Sequence, residues 1–341
     1  MTGNSPDSLP GISIIVITLN EEANIGPCLD SLTAQRYPAD RFEIIVVDAS
    51  TDRTAEIAAG YPGTRVITSE KGFARQKNAG WHAARFDLLA FTDADCLIPD
   101  TWLRSVADTM VETHIHAIGG DAFPPPETGW LGRCIAAVGH PAGGSLGFDA
   151  NAPVGPDGIG FIAGCNSVFG KEALAQVNGF DDAFQQGGED VDISRQLRKA
   201  GYTLYYSPDI FLYHKPHEPL GTYFLWNIGV GLTRWSLHRP GLLRIIFYPW
   251  FPVWPMLVFA GWVYLTVWFW PIGILAAIVA WLTWLAILRL FSRPYQFLWK
   301  RRKRTGVGRL SALTMVPFLI LVRQIAMSIG EFRKWRLERK K

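Results

Sequence analysis

A buried-strand pattern that ends in two aspartates constrains this chain more than any other feature. Residues 88–92 (LLAFT) are mostly apolar, which is typical of a strand covered on both faces, and Asp93 and Asp95 follow at once. Carboxylates at the carboxyl end of a strand in an open α/β sheet lie where such folds bind ligands. Two carboxylates this close repel each other unless a cation or hydrogen-bond donors compensate. The pair therefore suits Mg²⁺ or Mn²⁺, which prefer oxygen ligands, although Asp is also common in turns and helix caps.

The pattern of a strand followed by a helix recurs through the first part of the chain. Apolar runs predict strands at residues 12–18, 43–48, 64–68, 88–92 and 115–119. Helices are predicted near residues 23–32, 73–84, 100–112, 171–177 and 191–200, with one further strand at 202–206. Residues 120–161 lose this pattern and are interpreted as a long functional loop. The alternation predicts an α/β fold, a mostly parallel sheet with helices on both faces.

Polar side chains follow several of these strands and are expected to share one crevice, because the carboxyl ends of parallel strands meet at one edge. The set comprises Thr18, Glu21, Asp48, Asp93 and Asp95. Cations at the start of a helix, Lys71 and Arg75, favour phosphate. A nucleoside diphosphate with a divalent ion fits this set. A dinucleotide fits poorly, because no Gly-x-Gly-x-x-Gly follows the first strand, and a P-loop is also absent.

Six segments in order across residues 12–214 resemble family 2 glycosyltransferases with the GT-A fold: ISIIVITLNEE, EIIVVDASTDRT, KGFARQKNAG, FTDADC, GCNSVF and GGEDVDIS. The resemblance implies that Asp48 contacts the base or ribose of a nucleotide-diphosphate sugar, with Thr18 and Glu21 in the same site. It implies that Asp93 lies near the ribose and the metal and that Asp95 binds Mg²⁺ or Mn²⁺ directly. Lys71 and Arg75 are then expected near the diphosphate.

One segment departs from the family pattern. The family often has Asp-Asp-Gly-Ser or Asp-Asn-Gly-Ser where this chain has Asp48-Ala49-Ser50, so the contact made by Ser50 does not follow from the resemblance.

The resemblance also assigns the proton chemistry. An inverting transfer needs a base that deprotonates the acceptor hydroxyl, and the matching residue is Asp190, with Glu189 shaping the acceptor site. Asp192 lies two residues along the same predicted helix and is expected to face elsewhere. A Glu-Asp pair after two glycines is also what a helix N-terminus favours. His214 is either a further metal ligand, as a late histidine is in some related enzymes, or a structural residue.

The C-terminal part of the chain is apolar enough for a membrane. Residues 245–288 contain no charged residue, and a turn at 271–273 divides them into two arms. Basic clusters on both sides predict that both ends of this hairpin face the cytoplasm. Residues 310–332 are also apolar but include Arg323 and Gln324, which favours a helix lying in the interface. The alternative for the hairpin is a buried pair of core helices.

These observations predict six segments. They are a flexible leader (1–10), a GT-A catalytic domain (11–220), an amphipathic interface segment (221–244), a transmembrane hairpin (245–291), a basic cytoplasmic loop (292–309), and an interfacial helix with a basic tail (310–341). Four cysteines without zinc spacing indicate structural thiols.

The leading hypothesis is an inverting, metal-dependent glycosyltransferase of the cytoplasmic (inner) membrane, multi-pass, with its catalytic domain facing the cytoplasm. Its partners are a nucleotide-diphosphate sugar, a lipid-linked or glycan acceptor and the bilayer, with no nucleic acid. Non-processive transfer is expected, because Gly231-Leu-Thr-Arg234-Trp235 lacks the glutamine of the processive motif Gln-x-x-Arg-Trp. The alternatives are transfer to polyprenyl phosphate, and a non-catalytic membrane scaffold that retains a nucleotide-binding fold.

Overall fold

The computed structural model describes residues 9–113, 116–138, 160–185, 187–237, 270–291 and 306–339, together with residues 264, 295 and 299. The chain separates into two compact units. The first combines residues 1–128 and 140–215, and the second combines residues 129–139 and 216–341.

The first unit is built on one sheet of eight strands among the described residues. The strands are β1 (Ile12–Thr18), β2 (Phe42–Asp48), β3 (Thr64–Thr68), β4 (Leu88–Asp93), β5 (Cys96–Leu97), β6 (Ala117–Phe123), β7 (Ser167–Gly170) and β8 (Tyr205–His214). The helices of this unit are α1 (Ile25–Thr33), α2 (Thr54–Ala59), α3 (Phe73–Ala83), α4 (Trp102–Thr113), α6 (Lys171–Gln176) and α7 (Glu189–Lys199). Helix α5 (Trp130–Ala137) belongs to the second unit.

The order of the strands is β3-β2-β1-β4-β7-β6-β8-β5. The first four are parallel, β7 runs antiparallel between β4 and β6, and β6 and β8 are parallel. The sheet is therefore mixed, and the predicted α/β class is confirmed. Strand β1 is central and buried along its whole length, as its continuous β-branched sequence predicts.

The core lies on both faces of this sheet. On one face, alternate residues of β1 such as Ile14 and Val16 join Leu29 of α1 and Leu103 of α4 in a single apolar cluster. On the other face, Gly80 of α3 lies directly against Ile15 and Val47. This double cover, with side chains pointing alternately to either face, fixes the register of the strands.

Two predictions about the second half of the sheet are wrong in their bounds. Residues 120–161 do not lack regular structure throughout, because β6 continues to Phe123 and α5 follows. The strand predicted at 202–206 begins at Tyr205 and continues to His214. The extra length matters because it carries His214 to the position opposite Cys96, the first residue of β5.

The second unit is helical in its described part. It contains α5, α8 (Leu220–Leu237), α9 (Trp270–Phe291), α10 (Arg309–Leu313) and α11 (Met315–Glu338). Helices α8 and α11 approach closely: a Cβ on Gly231 would lie 2.1 Å from the Met327 carbonyl oxygen, and one on Gly330 would lie 2.0 Å from that of Ile228. Small residues at a helix crossing permit this approach.

Two described helices are long and apolar enough to cross a membrane, by length and composition alone: Gly273–Leu290 and Arg309–Glu338. A core helix of a soluble protein can have the same length and composition, but such a helix is mostly buried. The first segment is mostly exposed, with Leu275 and Leu290 more than 60% accessible, whereas nearly half of the second is buried. The first arm of the predicted hairpin and most of the predicted basic loop lie outside the described residues.

Candidate active site

Strand register brings the polar strand ends together. Strand β1 pairs with β2 on one side and β4 on the other, so that Thr18 lies opposite Asp48 and Ile17 lies opposite Asp93. Because all three strands are parallel, their carboxyl ends form one edge of the sheet. The residues predicted from separate stretches of sequence therefore lie along one edge.

The Asp48 carboxylate is buried and held on both sides. Its Oδ1 accepts a hydrogen bond from Thr18 Oγ1 at 2.6 Å, and its Oδ2 accepts one from the Ser50 backbone N–H at 3.1 Å. The Ser50 hydroxyl accepts from the Asn20 N–H at 2.7 Å. Ser50, whose contact did not follow from the resemblance, thus ties together the loops that follow β1 and β2. Asp48 is preorganised at this end of the edge.

Glu21 lies within the electrostatic field of the aspartates after β4. Its carboxylate accepts from Asn24 Nδ2 at 2.6 Å. Burial raises the pKa of Glu21, the hydrogen bond from Asn24 opposes that rise, and the carboxylates of Asp95 and Asp93 add to it. Two of the loops that carry predicted site residues therefore interact.

The two predicted phosphate-binding cations lie at the start of α3. Lys71 is exposed, and Arg75 forms an ion pair with Glu70, with its Nη1 atom 2.5 Å from the carboxylate oxygen. Neither has a described contact with the carboxylates above, so their place near a diphosphate stays a prediction.

Asp93 and Asp95, which are partly exposed, form a cluster with the buried His214. Strand β5 pairs antiparallel with β8, which sets Cys96 opposite His214. The His214 Nε2 atom then lies 3.6 Å from Asp93 Oδ2 and 3.5 Å from Asp95 Oδ1. Burial alone would lower the pKa of His214, but the carboxylates of Asp95 and Asp93 raise it to about 9. Burial also raises the pKa of Asp95, as does Asp93, while His214 opposes the rise.

The donor set of this cluster suits a hard divalent ion. Ligand atoms of Asp93, Cys165 and His214 lie within 4.8 Å of one another, as do those of Asp95, Cys96 and His214. Burial raises the pKa of both thiols well above its usual value, and sulfur is a soft ligand that does not suit Mg²⁺ or Mn²⁺. Two carboxylates and one imidazole remain, a set that fits Mg²⁺ or Mn²⁺ with open positions for phosphate oxygens.

The predicted base lies at the start of α7. Gly188, with φ of 88°, precedes the helix in the left-handed region that favours glycine. The Asp190 carboxylate accepts from the Val191 N–H at 2.8 Å and the Gly164 N–H at 3.3 Å. Burial, and next the Glu189 charge, raise the pKa of Asp190 to about 6, against the opposing effect of Lys77. A carboxylate with this pKa can accept a proton near neutral pH.

Lys77 is a site residue that the sequence reasoning missed. Its Nζ atom lies 2.6 Å from Glu189 Oε1, and both side chains are buried. The segment KGFARQKNAG drew attention to Lys71 and Arg75, which were interpreted as phosphate ligands. The helical period indicates a different role for Lys77, because it lies two positions after Arg75 and so faces another side of α3.

The candidate ion cluster of Asp93, Asp95 and His214 and the candidate base Asp190 are within electrostatic reach of the same residue, Cys165. Burial raises the pKa of Cys165, and Asp93, Asp95 and Asp190 each add to that rise. Asp192 is different: its carboxylate bonds to Arg195 and Gln196 on its own helix. The site thus contains a candidate ion cluster, a candidate base with a raised pKa, and an anchored carboxylate along the same sheet edge.

Comparison with known proteins identifies the domain. Residues 13–177 match the family model described as glycosyl transferase family 2, and residues 156–217 match the model described as N-terminal domain of galactosyltransferase. The chain is 27% identical over 249 residues to glycosyltransferase AglE of Haloferax volcanii, covering 70% of this chain and 78% of the relative. It is 22% identical over 256 residues to a Methanococcus voltae protein named dolichyl N-acetyl-alpha-D-glucosaminyl phosphate 3-beta-D-2,3-diacetamido-2,3-dideoxy-beta-D-glucuronosyltransferase, covering 69% and 76%.

A solved structure shares the fold. The mannosyltransferase PcManGT from Pyrobaculum calidifontis, solved in complex with GDP-Man and Mn²⁺, superposes with a TM-score of 0.54 and 20% sequence identity, covering 95% of this chain and 88% of that one.

Proposed function

This chain is a glycosyltransferase with a family 2 domain on a GT-A-like sheet, and from that premise we propose that it is a membrane-attached, metal-dependent inverting enzyme. It moves a sugar from a nucleotide-diphosphate donor to a lipid-linked saccharide or glycan acceptor, without processive synthesis. The observation that carries this proposal is the position of Asp190, with its raised pKa, within electrostatic reach of the Asp93–Asp95–His214 cluster.

Asp190 is the base of the proposed reaction. Its carboxylate accepts the proton of an acceptor hydroxyl, whose oxygen forms a bond to the anomeric carbon of the donor. The bond from that carbon to the diphosphate breaks, and the nucleoside diphosphate leaves with the electron pair. Attack from the face opposite the leaving group inverts the anomeric configuration. The backbone N–H groups of Gly164 and Val191 donate to the Asp190 carboxylate and hold it in place for this step.

The other residues hold the donor. Asp93, Asp95 and His214 would hold Mg²⁺ or Mn²⁺, whose chemistry there is Lewis-acid stabilisation of charge on the leaving diphosphate. Asp48, with Thr18 and Glu21 beside it, binds the base or ribose, and its two hydrogen bonds fix its orientation. Lys71 and Arg75 lie near the diphosphate, where cations favour the leaving group.

The membrane part of the proposal is supported by the second unit and by the relatives. The segment Gly273–Leu290 exposes most of its apolar side chains, as a helix in lipid does. The name of the Methanococcus voltae relative specifies a dolichyl-linked acceptor. A lipid-linked saccharide at the cytoplasmic face of the inner membrane is the acceptor that suits both observations.

A transfer assay on the full chain tests this function. Labelled nucleotide sugars are supplied with Mn²⁺ or Mg²⁺ and a lipid-linked saccharide, and the anomeric configuration of the product is read by NMR. We expect inversion, and Asp190→Asn should lower kcat by about 10²–10⁴-fold. Asp209→Asn, at an exposed position on β8, is the matched control.

Four outcomes would overturn parts of the proposal. Retention of configuration, or an Asp190→Asn variant as active as the wild type, contradicts the inverting mechanism. Turnover that persists with all divalent ions removed contradicts the metal requirement. Tight nucleotide binding without transfer to any acceptor indicates the scaffold instead.

A further inference from the structure

The ion pair between Lys77 and Glu189 joins two elements that carry opposite sides of the site. Lys77 lies on α3 and Glu189 is the first residue of α7, 112 positions later, with 2.6 Å between the Nζ and Oε1 atoms. Their side chains are 2% and 5% exposed. A buried ion pair is weak support for stability, because removing two charges from water offsets their attraction. Its presence at this point therefore suggests a role in the reaction.

Only one of the two carboxylate oxygens of Glu189 has a hydrogen-bond partner in this pair. Glu189 Oε2 is buried and has no hydrogen-bond partner among the described residues. An unsatisfied buried carboxylate oxygen is unfavourable, so a pair serving stability alone would be expected to satisfy both oxygens. Glu189 also directly precedes Asp190, so any force that fixes Glu189 acts on the backbone of the base.

The turn at residues 164–166 packs directly on the pair. A Cβ added at Gly164 would lie 2.4 Å from Lys77 Nζ, 3.3 Å from Glu189 Oε1 and 3.6 Å from the Asp190 Cβ. The Gly164 N–H is also the group that donates to Asp190. Lys77, Glu189 and Asp190 thus meet at one point, where only glycine leaves room for them.

Among the described residues, several charged and titratable groups face this point, including the Cys165 thiol, which interacts electrostatically with Asp190. Asp190 faces Glu189 on its own helix, Lys77 on α3, and the N–H groups of Val191 and Gly164. Lys77 in turn faces Glu189, Asp93 on β4 and Asp190. The ammonium group is therefore within electrostatic reach of both the proposed base and one proposed metal ligand.

We propose that Lys77 and Glu189 form a positioning pair, which fixes the first turn of α7 and sets the charge that the Asp190 carboxylate faces. This inference rests on the proposed role of Asp190 as the base. Lys77 and Glu189 touch neither the acceptor nor the donor in this role; they act through Asp190.

The experiment compares the pH dependence of kcat/KM in the full-length chain and three variants: Lys77→Met, Glu189→Gln and the double variant. In the wild type, the acidic limb should have its midpoint near the Asp190 pKa of about 6. Loss of the cation should move this midpoint up, and loss of the Glu189 charge should move it down. In the double variant it should fall, because Glu189 affects Asp190 more than Lys77 does.

Controls separate positioning from folding. The half-exposed pair of Arg104 and Asp108 on α4 provides the matched variant Arg104→Met/Asp108→Asn, which should leave the midpoint and kcat unchanged. Calorimetric binding of a nucleoside diphosphate with Mn²⁺ should change less than about threefold in all three site variants, whereas kcat should fall by at least about tenfold, as expected when a base loses its orientation. If a single variant does not fold, the midpoint of the double variant, which buries no unpaired charge, decides.

Midpoints that stay at the wild-type value, or that move in the same direction in both single variants, would overturn the inference. So would losses of kcat that match the loss of folded protein. A different result would contradict the proposed function: full activity of Asp190→Asn would show that Asp190 is not the base. If Asp190→Asn is inactive while the pH profiles of the pair variants are unchanged, only the positioning role is wrong.

Discussion

At the scale of single residues, the site is a set of carboxylates kept apart by different partners. Asp48 is held by one side-chain hydroxyl and one backbone N–H, Asp93 and Asp95 share His214, and Asp190 has two backbone donors. Burial and the neighbouring Glu189 charge raise the pKa of Asp190 to about 6, which suits this carboxylate to take up a proton near neutral pH.

The raised pKa of Asp190 predicts a gain in stability when the charge is removed. The folded state binds this proton more tightly than the unfolded chain does. The ionised carboxylate, which predominates above about pH 6, therefore destabilises the folded state. We expect Asp190→Asn to have a higher Tm than the wild type at about pH 7.5. The difference should shrink as pH falls through 6 and vanish below about pH 4, where the carboxyl group is protonated in both states.

Thermal unfolding across this pH range checks the prediction, with Asp209→Asn as the exposed control. A Tm difference that grows towards low pH would have the wrong sign and would show that the carboxylate is stabilised by folding.

The acidic residues were predictable from sequence and their partners were not. Asp48 and Asp93 end apolar strands and Asp95 follows two residues after Asp93, so the strand pattern itself places them at the sheet edge. Lys77 and Glu189 are distant in sequence, and their contact depends on how α3 and α7 pack, which periodicity does not specify. The strand that carries His214 is longer than predicted, since it continues through Pro208 to His214.

At the scale of elements, helix α3 connects the ends of two strands. Gln76 is buried, and its Nε2 atom donates to the carbonyl oxygens of Thr18 at 2.7 Å and Val47 at 2.9 Å. One side chain thus fixes the spacing of β1 and β2 next to Asp48. This contact, too, was absent from the sequence interpretation, which treated α3 only as a source of phosphate-binding cations.

We expect Gln76→Leu to lower the free energy of unfolding by about 1–3 kcal/mol, because two buried hydrogen bonds are lost. Nucleotide binding should weaken as well, since Asp48 lies at the loosened strand end. Urea denaturation measures the first effect and calorimetry the second. Gln176→Leu removes one hydrogen bond, accepted from Tyr202 at an exposed position, and should lower the free energy of unfolding by at most about 1 kcal/mol. Equal losses in both variants would contradict the bridging role.

At the scale of the whole molecule, the chain combines a sheet unit that carries the site with a helical unit rich in exposed apolar residues. The alternation of strands and helices in the first unit was predictable because each strand is a short apolar run with a clear end. The mixed direction of the later strands was not, since β7 enters between β4 and β6 after a long connection. In the second unit, composition predicts apolar helices but not which of them cross a membrane.

The membrane assignment of α9 can be tested by charge. Val279 and Leu282 are 54% and 58% exposed near the middle of this helix. In lipid, each arginine there would cost about 2.5–3.5 kcal/mol, whereas on a water-exposed surface it would be tolerated. We expect the wild type to stay with membranes through an alkaline carbonate wash and Val279→Arg/Leu282→Arg to be released or degraded.

The matched control is Leu337→Arg, at a position 60% exposed in the basic end of α11. It should behave as the wild type does. Full retention of the double variant, or release of the wild type, would contradict a membrane-spanning α9.

The central claim is that Asp93, Asp95 and His214 gather a divalent ion beside a nucleoside diphosphate. Its most direct test is a titration of Mn²⁺ followed by electron paramagnetic resonance, with and without nucleoside diphosphate, on the wild type, Asp95→Ala and the control Asp209→Asn. We predict that the nucleotide strengthens Mn²⁺ binding in the wild type and the control, and that Asp95→Ala weakens it by at least about tenfold. Equal affinity in all three proteins, with no effect of the nucleotide, would contradict the account.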